Sequence, residues 1–164
     1  MHRRLRPAGA AGAAMVAAVL AAGCGGGMQF SRDASVRITS PASLATVATP
    51  VHLRWTGASP PGAGASYAVF VDALPVHPGQ NLRSLAGPAC ASAPGCVDLA
   101  WLNRHFVFLT TGNHVDLDAL PILGTPVGDP DMHTATIVVV DGSWQRLGES
   151  AWTVTFSLQR PSTA

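Results

Sequence analysis

Two cysteines, Cys90 and Cys96, are the most reactive side chains in the central part of the chain, and five residues separate them. A redox-active pair is typically spaced Cys-x-x-Cys at the start of a helix, and a structural zinc site needs two further ligands close by. Neither pattern surrounds these cysteines. In an exported protein a local pair of this kind is oxidised, so the sequence predicts a disulfide between them.

A second group of reactive side chains lies just before an apolar segment, where Asp129, Asp131, Met132 and His133 follow one another closely. Two carboxylates, a thioether and an imidazole are suitable ligands for copper in an oxidising compartment. The alternative is an acidic turn ahead of a strand, because Asp and Pro are common turn residues. No second spaced pair such as His-x-His accompanies the group. Metal handling is therefore an alternative hypothesis, and the sequence predicts no cofactor.

Signatures of catalysis are missing from the sequence. Nothing in it resembles the Gly-x-Ser-x-Gly motif of hydrolases, and Glu149 is the only glutamate, so no paired set of acidic residues is identifiable. The glycines near Cys24 follow no predicted strand and do not form a phosphate-binding loop. We therefore expect no enzyme activity. An envelope enzyme whose site is assembled from distant loops is a second alternative.

Trp144 and Arg146 are candidate partner contacts because they lie in the segment that follows Asp141-Gly142, a dipeptide favoured in hairpin turns. Loops at the ends of two-sheet folds often bind partners, and Trp and Arg are frequent in binding hot spots. Trp55 and Trp152, by contrast, fall on the apolar faces of alternating segments. The other interpretation of Trp144, which we favour, is that its side chain folds back over the edge of the sheet.

The elements that must position these residues are strands, because apolar and polar side chains alternate with a period of two between breaks rich in Pro and Gly. The clearest case is Ala151 to Leu158, which predicts a half-buried antiparallel strand. The segment His133 to Val140 is almost continuously apolar or β-branched, so it predicts a central strand buried on both faces. The predicted strands are 36–39, 51–55, 67–71, 106–110, 115–117, 133–140 and 151–158. About seven short strands favour an all-β, two-sheet sandwich.

The segment Val51-His-Leu-Arg-Trp-Thr-Gly57, followed by a Pro-rich loop and by Tyr67-Ala-Val-Phe-Val71, resembles the second and third strands of fibronectin type III domains. This resemblance implies an antiparallel β-sandwich of the immunoglobulin or fibronectin type III kind over residues 34–160. Two features of related domains are missing. Tyr67 is the only tyrosine, so a tyrosine corner near the penultimate strand cannot form, and the inter-sheet disulfide of immunoglobulin domains is absent.

The first 24 residues have the organisation of a bacterial export signal. A short segment with three arginines precedes an apolar run of Ala, Gly, Val, Met and Leu that is too short to cross a bilayer comfortably. The run ends in Leu20-Ala-Ala-Gly-Cys24, which resembles the lipobox of bacterial lipoproteins. The resemblance implies a signal peptide over residues 1–23, lipid on Cys24 and a flexible tether over residues 24–33. The alternatives are a signal-anchor helix or a plain secretory signal.

Charge excludes one class of partner. After removal of residues 1–23 the chain has seven Arg against nine Asp and Glu, 7 − 9 = −2, without the basic surface that nucleic-acid binding needs. We therefore expect no nucleic-acid partner.

From the signal segment and Cys24 we expect a lipid-anchored protein on the extracytoplasmic face of the cell membrane. The predicted role is a non-catalytic binding or structural module of the cell envelope, attached through Cys24, with an envelope protein or a glycan as partner.

Overall fold

Short apolar segments with β-branched side chains form the strands of this protein, because such side chains pack well on a pleated surface. The structure is a computed structural model that describes residues 35–57, 60, 63–90, 93, 95–120 and 131–159. In this part the chain is nearly all-β. The eight strands are β1 (Val36–Ser40), β2 (Thr46–Val47), β3 (Val51–Gly57), β4 (Ser66–Val71), β5 (Val107–Thr110), β6 (His114–Leu117), β7 (Asp131–Val140) and β8 (Arg146–Leu158).

The strands form two sheets. One has three strands in the order β1-β3-β6, and the other has five in the order β2-β8-β7-β4-β5. All pairs are antiparallel except β2 with β8. One apolar cluster takes side chains from both sheets, including Leu53 and Trp55 from β3, Tyr67 and Val69 from β4, and Phe156 from β8. Two sheets that share a core are consistent with the predicted β-sandwich.

The described residues of a long connection between β4 and β5, within 72–106, cover the outer face of the five-stranded sheet; we call this connection the covering segment. It contains a 3₁₀ helix, Leu82–Ala86, and an α-helix α1, Leu99–Arg104. Leu82 and Leu102 are fully buried against Ala68 and Phe70 of β4, in a second apolar cluster that also includes Val138 and Val140. Strands β4 and β7 are therefore buried on both faces.

The covering segment also contains the predicted disulfide. Cys90 and Cys96 are bonded, with their Cα atoms 5.5 Å apart, and Cys90 packs against the second apolar cluster. Asp98 caps the start of α1 by accepting a hydrogen bond from the Trp101 N–H at 2.6 Å. The sequence prediction of a local disulfide is confirmed.

None of the helices in the described residues is long and apolar enough to span a bilayer.

Strand β8 is longer than its alternation predicts, because it begins at Arg146 instead of Ala151. Ile137 of β7 pairs with Trp152, but Val139 pairs with Leu147, so residues 148–151 form a bulge. Gly148 in this bulge has a φ of +63°, a left-handed conformation that favours glycine. The bulge reverses the alternation of β8, and this reversal decides where the Arg146 side chain lies.

Candidate contact site at the β7–β8 hairpin

Asp141 builds the turn between β7 and β8. Its Oδ1 atom accepts hydrogen bonds from the Ser143 N–H at 2.8 Å, the Ser143 hydroxyl at 2.7 Å and the Gln145 N–H at 2.9 Å. The Ser143 hydroxyl, followed by the Gln145 N–H, holds the pKa of Asp141 below its ordinary value. The carboxylate is therefore an internal acceptor that fixes the hairpin, as the Asp141-Gly142 dipeptide predicts.

The hairpin is joined to the covering segment by side-chain hydrogen bonds in both directions. The Asn81 amide donates to the Ser143 carbonyl at 2.6 Å, and the Gln145 amide donates to the Gly79 carbonyl at 2.8 Å. Asn81 also accepts a hydrogen bond from the Arg83 N–H at 3.0 Å and so caps the 3₁₀ helix. One asparagine thus sets the position of this helix and of the hairpin together.

Trp144 lies at the centre of this junction with a left-handed backbone, φ +71°. Its carbonyl accepts a hydrogen bond from the Leu82 N–H at 3.0 Å. The indole is half-buried against the second apolar cluster, and the Arg83 guanidinium carbon lies 5.4 Å from the centre of the ring. This is the geometry of a cation–π contact. Trp144 therefore folds back over the sheet while part of its surface faces solvent.

The Arg83 guanidinium has no hydrogen-bond acceptor and no carboxylate partner within the described part of the chain, and its Nε is buried without a partner. Guanidinium donors are arranged in a planar fork that fits the oxygens of carboxylates and phosphates. Arg83 thus places a positive charge over Trp144, and its terminal nitrogens have no acceptor among the described residues. Sequence reasoning missed it because Arg83 and Trp144 are far apart in the chain.

Arg146, the second predicted contact residue, points inward. Its side chain is only 7% exposed. Nη1 donates to the Val76 carbonyl at 2.7 Å, and Nη2 donates to the Glu149 and Ser150 carbonyls at 3.1 and 3.3 Å. Burial is the main cause that lowers the pKa of Arg146. The guanidinium satisfies carbonyls of the β8 bulge and of the covering segment, so it supports the site from below.

The structure does not bring the predicted metal ligands to one point. Asp131 and His133 lie on the same face of β7 and are 3% and 0% exposed, whereas Met132 lies on the opposite face and is 40% exposed. Asp129 lies outside the described residues. Among the residues that the structure describes, no three His, Cys, Asp or Glu side chains form a group that could hold a metal ion.

His133 has a defined partner that the sequence did not indicate. Its Nδ1 lies 2.7 Å from Asp72 Oδ2, and the other carboxylate oxygen accepts the Thr134 N–H at 2.8 Å. The imidazole stacks on Phe156 with ring centres 5.8 Å apart. Within the described chain, Nε2 is buried without a hydrogen-bond partner. The position of Asp72 directly after β4 is the only sequence signal that could have suggested this pair.

Cys24, the predicted lipidation site, lies outside the described residues.

The site at the hairpin consists of Trp144 and Arg83 at the surface, and of Asn81, Asp141 and Arg146 beneath them. Comparison of the chain with protein-family models, with curated proteins and with solved structures finds no match in any of the three.

Proposed function

We propose that this protein is a lipid-anchored, extracytoplasmic binding module of the bacterial cell envelope, without catalytic activity of its own. The lipobox-like segment ending in Cys24 supports the anchor. The observation that carries the binding role is the Trp144–Arg83 pair, a partly exposed indole below a guanidinium that has no acceptor in the described residues. Trp and Arg are the residue types that dominate binding hot spots.

The hairpin is also organised before any partner arrives. Hydrogen bonds from Asn81 and Gln145 and those accepted by Asp141 fix the backbone on both sides of Trp144. Immobilising a side chain that is rich in rotamers costs roughly 0.5–1.5 kcal/mol on binding, and a contact that is already ordered avoids part of that cost. A contact surface centred on the ordered backbone around Trp144 therefore loses less free energy on binding than a mobile loop does.

Strand topology supports an immunoglobulin-like identity for the domain. In immunoglobulin domains the first, second and fifth strands share one sheet, and the third, sixth and seventh strands share the other. In variable-type domains a further strand extends this second sheet next to the third strand. Here β1, β3 and β6 form one sheet, and β5-β4-β7-β8 follow in order within the other. Strand β2 and the covering segment are additions to that plan. The buried Trp55 on β3 and Tyr67 on β4, whose ring centres lie 5.4 Å apart, match the fibronectin type III resemblance.

The anchor is tested by replacing Cys24. Metabolic labelling with a fatty-acid analogue should mark the wild-type protein and not the Cys24→Ser variant, and the variant should lose tight membrane association. Cys90→Ser combined with Cys96→Ser is the matched control, because it removes the other two cysteines without touching the lipobox. Equal labelling of wild type and Cys24→Ser would refute lipid attachment at this residue.

The contact surface is tested by photo-crosslinking from two exposed apolar positions of similar exposure. Leu147, 36% exposed, lies beside the hairpin, and Met132, 40% exposed, lies at the opposite end of β7. A benzoylphenylalanine in place of Leu147 should form adducts with an envelope component in living cells, and one in place of Met132 should not. Trp144→Ala with Arg83→Gln should reduce the Leu147 adducts. Adducts from Met132 alone would place the contact surface elsewhere.

A second candidate function, metal handling, is favoured by one observation at His133. A histidine ligand usually donates its other ring nitrogen to a carboxylate, and Asp72 occupies that position while the buried Nε2 has no partner in the described residues. Titration of the metal-free protein with copper or zinc tests this function. It requires one bound ion per chain that is lost in His133→Gln and kept in His114→Gln, which alters an exposed histidine.

A further inference from the structure

We infer that the hairpin end of the domain lies against the phospholipid surface to which Cys24 is anchored, with Trp144 and Arg83 in contact with the headgroup layer. The hairpin end is the end of the two sheets at which β7 passes into β8. This inference rests on the proposed lipid anchor and assigns the partner of the proposed contact site.

The first strand begins at the hairpin end. Val36, the first residue of β1, pairs with Gly57, the last residue of β3, and Ser66 at the start of β4 pairs with Val140 at the end of β7. The connection from β3 to β4 touches the hairpin directly, because a Cβ atom on Gly64 would lie 3.6 Å from the Gly142 Cα. The first described strand therefore begins at the hairpin end, on the Cys24 side in the sequence.

The length of that chain keeps the hairpin end close to the membrane. Ser35 follows Cys24 by eleven positions, which corresponds to a reach of at most about 36–40 Å in a fully extended chain. Strand β7 alone has ten residues, so the two ends of the domain are separated by roughly 33 Å. Contact between the far end and the bilayer would require an almost fully extended tether, whereas contact at the hairpin end requires only part of this reach.

The side chains at the hairpin end suit a lipid interface. Trp is enriched at the headgroup level because its ring is apolar and its N–H is polar. The donors of Arg83 fit phosphate oxygens. Leu147, 36% exposed, adds an apolar side chain beside the hairpin. Asp141 and Glu149 also lie at the hairpin end, so its surface has no excess of positive charge. The contact with the membrane therefore depends mainly on the apolar surface of Trp144 and Leu147. We expect this contact to persist in high salt.

The opposite end has its own exposed apolar residues and provides the internal comparison. Leu74 is 88% exposed and follows Asp72, which bonds to the start of β7. Leu44 is 71% exposed, and its N–H bonds to the Thr155 carbonyl near the end of β8. If apolar exposure alone decided orientation, these leucines would face the bilayer. The position of the tether predicts the reverse.

The experiment uses the lipidated full-length protein in phosphatidylcholine vesicles, with and without phosphatidylglycerol, that contain a lipid spin-labelled on its headgroup. The label quenches nearby indole fluorescence. The emission of Trp144 is obtained by subtracting the spectrum of Trp144→Phe. In that same background, Leu74→Trp reports on the opposite end. We expect quenching of the Trp144 emission in both vesicle types and in high salt, weaker quenching in Arg83→Gln, and no quenching of the reporter at position 74.

Quenching at position 74 without quenching of Trp144, equal quenching at both positions, or quenching at neither would overturn the inference. Fatty-acid labelling of the same protein preparation separates the two possible failures. A labelled protein whose Trp144 is not quenched refutes the orientation and leaves the lipid anchor intact. An unlabelled protein refutes the anchor, and the inference falls with it.

Discussion

Replacing Arg146 by methionine tests whether this residue supports the hairpin or contacts a partner. Methionine reproduces the unbranched arginine side chain as far as the Nε position, so the change removes the guanidinium with its charge and its hydrogen bonds. Those bonds run from Nη1 to the Val76 carbonyl at 2.7 Å and from Nη2 to the Glu149 and Ser150 carbonyls at 3.1 and 3.3 Å. The arginine is 7% exposed, so water does not readily replace it.

The expected loss of stability follows from these contacts. Hydrogen bonds to charged groups contribute about 1.5–3 kcal/mol each, and the two longer bonds share one nitrogen, so we treat them as one. The buried guanidinium itself is costly to desolvate, which offsets part of the gain. We therefore expect Arg146→Met to lower the free energy of unfolding by about 3 kcal/mol, and Arg146→Lys by roughly half as much, since lysine can reach only one acceptor at a time.

Equilibrium urea unfolding measures both changes through the transition midpoint at an unchanged slope. Arg54→Met is the matched control, because Arg54 lies exposed on β3; we expect its effect to stay within about 0.5 kcal/mol. If Arg146→Met unfolds at the same urea concentration as Arg54→Met, the inward orientation of Arg146 does not stabilise the domain. In that case its predicted role as a partner contact would regain support.

Three further predictions concern the disulfide, the second apolar cluster and the hairpin turn. Replacing Cys90 and Cys96 by serine should lower the free energy of unfolding by about 2 kcal/mol, the loop entropy of so short a ring; urea unfolding of the oxidised wild type and the double variant measures it, and equal midpoints would contradict it. Phe70→Ala should cost about 3–5 kcal/mol because the covering segment buries Phe70 completely. Leu74→Ala, a large-to-small change at a position that is 88% exposed, should change the midpoint little. The pKa of Asp141 is lowered in the folded chain, so its stabilising effect is present above the unfolded pKa of about 3.9 and is lost as the pH falls through the folded value. Below about pH 5 the unfolding midpoint of the wild type should therefore fall more steeply than that of Asp141→Asn, and parallel pH curves would argue against this role.

Much of the strand content follows from local alternation. Val51, Leu53 and Trp55 are buried while His52 and Arg54 are exposed, as the period of two predicts for β3. The long apolar run of β7 is buried on both faces, and the turn after it forms at Asp141-Gly142. These elements are predictable because the hydrophobic pattern and the turn residues act within a few positions of one another.

The burial of the outer face of β4 was not predictable in the same way. Ala68 and Phe70 are covered by Leu82 and Leu102, which lie in a segment rich in Pro, Gly and Ala with isolated apolar residues. No periodic pattern there indicates a packed layer, and its two helices have only five and six residues. The two-residue strand β2 is likewise too short to leave a pattern, because its pairing with β8 is a tertiary contact.

The position of Arg146 could not be obtained by extending the alternation of Ala151 to Leu158 backwards, because a bulge lies between them. Counting back from Trp152 in steps of two places Arg146 on the same face of β8 as the core residues. The bulge at residues 148–151 adds an odd number of residues relative to β7, so the face is reversed and Arg146 pairs with Val140. Gly148 with its positive φ is the residue in the sequence that permits this, but glycine alone does not reveal a bulge.

The same contacts couple the stability of the hairpin to its proposed role at the membrane. Asn81 bonds to the Ser143 carbonyl and caps the helix that carries Arg83, so a change that loosens the hairpin also moves the guanidinium away from Trp144. A variant such as Asn81→Ala would therefore reduce binding and stability together and would not separate them. Arg83→Gln does separate them, because the guanidinium has no partner other than Trp144 in the described residues. If this variant weakens lipid contact and leaves the free energy of unfolding unchanged, Arg83 belongs to the contact surface. Arg146 then supports that surface from below.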